Sequence, residues 1–163
     1  MRVRPIALLL LVIALVAAGC GGDSESDSKS SKQDYGNALA QAGQTLQKTF
    51  ADIADQQGAS TSSAEIGQRL ERGATALDDA ATKFGKITPP KDAASAHKKL
   101  VEGLQELADV FRKGGDAARK NDTKTLSTAL QGLTNSDGVK KITEAQEELK
   151  KLGVTVTTAS SSK

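Results

Sequence analysis

The chain has 163 residues, with 22 Lys and Arg against 20 Asp and Glu, one His, one Cys, one Tyr, three Phe and no Trp. That length suits one domain, and the near-balanced charge, without a Lys/Arg cluster, excludes the electrostatic footprint of nucleic-acid binding. So few aromatic rings also leave little to build the stacking platforms on which sugars and nucleobases are usually held.

The first residues, Met1-Arg-Val-Arg4, precede an apolar stretch from Ile6 to Ala18 and a run of small residues ending at Cys20. Basic residues, an apolar segment and small residues in that order form an export signal. At about 13 residues the apolar stretch is too short to span a bilayer, which needs about 20. Ala17-Ala18-Gly19-Cys20 resembles the lipobox of bacterial lipoproteins, although Ala17 stands where that motif usually has Leu. The resemblance implies that residues 1–19 are a lipoprotein signal peptide and that Cys20 becomes the mature N-terminus. Its sulfur would carry a diacylglyceryl group and its amine a further acyl chain such as palmitate. The partner so implied is the cell membrane, held through the lipid on Cys20 at the extracytoplasmic face. One acyl chain binds a membrane marginally, whereas two or more, at about 0.8 kcal/mol per buried CH₂, hold firmly. The bland alternative is a signal cut near Ala18 that leaves an unpaired thiol in an exported protein, an odd thing to keep.

Loss of Arg2 and Arg4 with the signal lowers the 22 basic residues to 20 against 20 acidic ones, so the mature chain is formally neutral. With Cys20 lipidated no thiol remains for disulfides, and the domain has to be held by its core alone.

Residues 20–33 are the lipidated Cys followed by Ser, Gly and charged residues without a large apolar side chain, which predicts a flexible tether. From residue 34 apolar residues recur with helical spacing. Tyr35, Leu39, Ala42, Leu46, Phe50 and Ile53 share one face of a first helix, with Asp34 as its expected N-cap and Gly58 just past its end. A second helix starts near Ser63 and turns Ile66, Leu70, Ala74, Leu77, Ala81 and Phe84 inward. Thr88-Pro89-Pro90 stops it, because proline lacks a donor and restricts the residue before it.

The third helix opens near Asp92 and carries His97, Leu100, Val101, Leu104, Leu107, Ala108 and Phe111. Gly114-Gly115 either ends or weakens it, and an end near Lys120 is expected. Asn121-Asp122 then caps a fourth helix with Leu126, Leu130 and Leu133. Asn135-Ser136-Asp137-Gly138 is a turn signal, after which Ile142, Ala145, Leu149 and Leu152 resume the stripe in shifted phase until Gly153. Residues 154–163 read as a disordered tail. The fold class expected is all-α. Residues 34–153 form an antiparallel up-and-down bundle of about four helices, coiled-coil-like in packing, with the last helix broken near residues 134–138. Its inner positions are mostly Ala and Leu, with Gly36, Gly43, Gly67, Gly73 and Gly103 inside helices, so the core should be thin and closely packed.

No candidate catalytic residue emerges. His97 has Ala94 three residues before it, where a di-iron bundle has Glu, and Leu100 three after it, where imelysin-like bundles have Glu. A half-buried structural histidine is the better reading. Asp78-Asp79 and Glu147-Glu148 are sequence neighbours that point about 100° apart on a helix and do not converge. Glu144 and Glu147 lie one turn from Lys140, Lys141, Lys150 and Lys151, as in ordinary surface ion pairs. No Gly-x-Ser-x-Gly elbow or phosphate-binding loop occurs. No cofactor and no metal is expected. The stretch from Pro89 through Val101 resembles helix starts in small exported lipoproteins of Gram-positive-type bacteria, which assigns no activity.

The expected function is therefore a membrane-anchored exported lipoprotein whose non-catalytic helical bundle interacts with another protein of the cell envelope. The alternative is a lipoprotein that binds a small ligand or lipid in a cavity among its Ala- and Leu-rich faces. An enzyme is the least favoured of the three.

Overall fold

The computed structural model describes residues 26–55 and 62–156. They form α1 (Ser26–Asp55), α2 (Ser63–Gly85), α3 (Ala94–Arg119), α4 (Thr123–Asn135) and α5 (Asp137–Lys151), with a 3-10 turn at Lys91–Ala93 leading into α3. Among the described residues there is no strand, and the fold is an all-α bundle.

Local chemistry sets most of the boundaries. Ser62 and Glu65 make a reciprocal capping box at the start of α2, each side chain bonding the other's backbone N–H. Beyond α2 the double proline forces an extended approach, and α3 begins without a side-chain cap through its 3-10 turn. Gly114 and Gly115 lie inside α3, which runs through them to Arg119. The helix ends instead in a Schellman pattern. Asn121 takes φ 54°, its N–H bonds Ala118, and the Asp122 N–H reaches back to Ala117 at 2.9 Å. Asp122 also caps α4, accepting from the Thr125 backbone and hydroxyl. Gly153, at φ 76°, ends α5 in the same way, with Val154 bonded back to Leu149.

The break in the last helix falls on Ser136, one extended residue that ends α4 and caps α5 through Val139. The start of α1 differs from expectation. Asp34 lies inside the helix, not at its cap, and Ser26–Gln33, expected as tether, are helical. Within this added length Lys32 Nζ meets Asp92 Oδ2 at 2.8 Å beside the first turn of α3. The opposite end differs as well. Val154, expected in the tail, is buried in the core against α1 at Gly36. Residues 20–25, 56–61 and 157–163, which include Cys20 and Gly58, lie outside the described residues.

Cross-helix pairs give the topology. Glu71 and Asp78 of α2 meet Arg119 and Arg112 of α3, while Lys99 and Glu106 of α3 meet Glu148 and Lys141 of α5. In each case the earlier residue meets the later one, so both pairs of helices are antiparallel. α3 is the central rod, with α2 on one flank and α4 and α5 on the other, and α1 packs chiefly on α2. The core joins Leu77, Phe84, Leu100, Leu104, Phe111 and Leu149 around Ala96, Ala108 and Ala145. At the tightest crossing a Cβ on Gly103 would lie 2.7 Å from the Gly138 carbonyl oxygen, so α3 and α5 touch backbone to backbone. The small residues make this close approach possible, as their pattern implied.

Candidate functional site

Two places in the bundle gather polar side chains in a way that packing alone does not require. One end, the base, holds the N-termini of α1 and α3 and the C-termini of α2 and α5. Here α1 presents Tyr35 and α3 presents His97, 3 % and 8 % exposed, and the Tyr35 hydroxyl lies 2.9 Å from His97 Nδ1. Their rings are tilted, with centroids 5.8 Å apart. Burial disfavours the charged form of each group. It pushes the Tyr35 hydroxyl up to about 12 and holds His97 below its ordinary 6.5. His97 is more deeply buried than its place near a helix start implied, and its partner comes from 62 residues earlier in the chain.

The second place is an open groove of about 570 Å³ between α1 and α2, closed at one end by Arg119 of α3. Thr49, Asp52 and Ile53 line one wall, and Glu71, Arg72, Thr75 and Asp79 the other. Glu71 is engaged by Arg119, at 3.2 Å, whereas Asp52, Arg72 and Asp79 form no ion pair among the described residues. Phe50 lies beside this wall, edge-on to Phe111 across the bundle with centroids 5.8 Å apart.

The carboxylate doublets do not converge. Asp78 takes Arg112 while Asp79 faces the groove, and Glu148 takes Lys99 at 2.6 Å while Glu147 is exposed. Glu144 also turns to Lys99, and Lys141 turns to Glu106 and Glu102, so these two pair across to α3 and not along α5 as expected, while Lys140 pairs within α5 with Asp137. Glu106 Oε2 is buried with no hydrogen-bond partner among the described residues, its other oxygen holding Lys141 at 2.5 Å. No group of three or more His, Cys, Asp or Glu side chains is placed to hold a metal ion among the described residues. Nor is any helix there long and apolar enough to cross a membrane.

Sequence reasoning placed Tyr35 and His97 on inward stripes but did not join them. The available signal was that the chain's one Tyr and one His each fall on a stripe of apolar residues. The groove had no sequence signal, because its walls belong to helix faces that read as ordinary solvated surface. Cys20 lies outside the described residues.

The fold defines this chain as a small exclusively helical bundle protein. Searches against protein-family models, curated proteins and solved structures found no match to it.

Proposed function

We propose that this protein is a lipid-anchored module of the bacterial cell envelope that binds another envelope protein and performs no catalysis. The observation that carries the reading is Ala17-Ala18-Gly19-Cys20 behind a short apolar segment. Helix α1 supports it from the other side, because only five residues separate Cys20 from Ser26. At no more than about 3.6 Å per residue, they would keep Ser26 within about 20 Å of the lipid, and Lys32, where α1 meets the base of the bundle, within about 30 Å. Confinement so close to the membrane raises the effective concentration of the bundle toward partners there. The groove between α1 and α2, where Asp52, Arg72 and Asp79 form no ion pair among the described residues, is the concave surface offered to such a partner.

Cys20→Ser tests the anchor. The variant should lose acyl labelling and leave the membrane fraction or accumulate as precursor; membrane retention without any label would refute the anchor. Crosslinking in intact cells tests the partner. One envelope protein recovered with the anchored form and absent with Cys20→Ser supports the module, whereas recovery of a small ligand and no protein favours the ligand-binding alternative.

A further inference from the structure

The contacts of α1 are unevenly distributed. Its C-terminal half is tied to the body of the bundle through Phe50, which meets Phe111 and lies close to Gly73. Its N-terminal half meets α3 through Tyr35 and His97, and meets the 3-10 turn through the partly exposed pair Lys32–Asp92. Beyond these, Leu39 and Ala40 are buried, and the segment Val154–Thr155 lies across Gly36. Meanwhile α2, α3 and α5 supply most of the core, including Leu77, Leu104, Ala108, Ala145 and Leu149, to which the N-terminal half of α1 adds Tyr35 and Leu39.

We propose that Tyr35 and His97 form an acid-released clasp, in which protonation of His97 frees the N-terminal half of α1 while the α2–α3–α5 body stays folded. With Nδ1 unprotonated, the Tyr35 hydroxyl donates to it. Once protonated, Nδ1 can only donate to the Tyr35 oxygen, which leaves the hydroxyl proton without that acceptor, and a charge is placed in a site from which water is largely excluded. The groups around this end do not offset that charge. Lys32 and Asp92 are engaged with each other, and Glu148 of α5 is held by Lys99 of α3. Asp34 of α1, Lys83 and Lys86 of α2, Lys91 of the turn, Lys98 of α3 and Lys151 of α5 are all exposed and keep their charges in water. Opening the clasp hydrates the imidazolium, so the opened form takes up the proton more readily than the closed one.

The chain suits a direct test, because it has one His, one Tyr and no Trp. The protein is purified as cells process it and brought from pH 8 to pH 5. His97 is titrated by NMR, Tyr35 fluorescence is quenched with acrylamide, and amide exchange is followed along the chain. Protection factors for amides of residues 32–40 should begin to fall below pH 6.5, by at most about tenfold per pH unit until the folded form itself takes up the proton, with quenching rising in parallel. Amides of Leu104 to Phe111 should keep their protection. Equal loss in both regions, or no change in α1 while His97 titrates, would overturn the clasp. His97→Gln should remove the acid response, and its persistence would also overturn it. If that variant lacks wild-type helicity at pH 7.5, Tyr35→Phe serves instead. Loss of the hydroxyl donor to the neutral ring should move the onset of exchange to higher pH, and an unmoved onset counts against the proposal.

Discussion

His97 and Tyr35 are both neutral in the folded protein, and burial moves their titrations apart. The unfolded chain protonates His97 near 6.5, whereas the folded one does so only at lower pH. Its contribution to stability is therefore complete above pH 6.5 and is lost as pH falls through the folded value. Tyr35 behaves in the opposite sense, ionising near 10 when unfolded and about 12 when folded. Its contribution is complete below pH 10 and disappears as pH rises toward 12. Urea midpoints measured from pH 5 to 11 should fall at both ends, and Tyr35→Phe should flatten the alkaline limb relative to wild type. A second contrast at this scale concerns glycine. Nothing lies within 4 Å of a Cβ placed on Gly43, while one on Gly138 would meet the Gly103 carbonyl oxygen at 2.7 Å and the Leu107 nitrogen at 2.9 Å. Gly43→Ala should therefore stabilise by about 0.5–1 kcal/mol through helix propensity. Gly138→Ala should cost about 1–3 kcal/mol because backbone has to move. Thermal or urea unfolding of the two variants should show opposite signs.

The helices differ in how firmly they are held. α4 has no buried residue and displays Leu130 at 46 % exposure, whereas α3 buries residues along its whole length. Amide exchange should accordingly be faster in α4 than in α3, by a margin that reflects local opening. The joint at Ser136 is a single residue whose hydroxyl receives the Val139 N–H. Ser136→Ala should cost about 1 kcal/mol in urea titration, with the loss of protection concentrated in the first turn of α5. Much of this level was legible beforehand. The double proline, Asn135 to Gly138 and Gly153 announced their breaks, since each acts through its own φ preference or its own side chain. Asn121 was recognised as part of a helix start but not as the left-handed residue that ends α3. Gly114-Gly115 left open whether α3 ends or only weakens there, and the helix runs through them to the end expected near Lys120. There the absence of side chains lets α3 approach Gly67 and Leu70 of α2, and a contact with another helix leaves no trace in local sequence.

Across the whole molecule the core is narrow, and a few large side chains fill it. Leu77 is the largest fully buried one, and Leu77→Ala should cost about 2–5 kcal/mol through lost burial and the cavity left behind. In so small a domain that is a large share of total stability, and circular dichroism melts should show it directly. The ion pairs around the rod carry less. They are partly exposed, with Lys99 and Arg112 reaching from α3 to a neighbouring helix and Lys141 reaching from α5 to α3. Their geometry says more about the register of the helices than about stability.

The sequence by itself determined the helical class, the inward stripes and most of the breaks. Those features depend on residues within a few positions of one another, through periodicity or backbone preference. Only the tertiary structure decided that Val154 is core, that Tyr35 bonds His97 and that Lys141, Glu144 and Glu148 of α5 turn toward α3. Each of these joins groups far apart in the chain, and a contact between distant segments leaves no local pattern in the sequence.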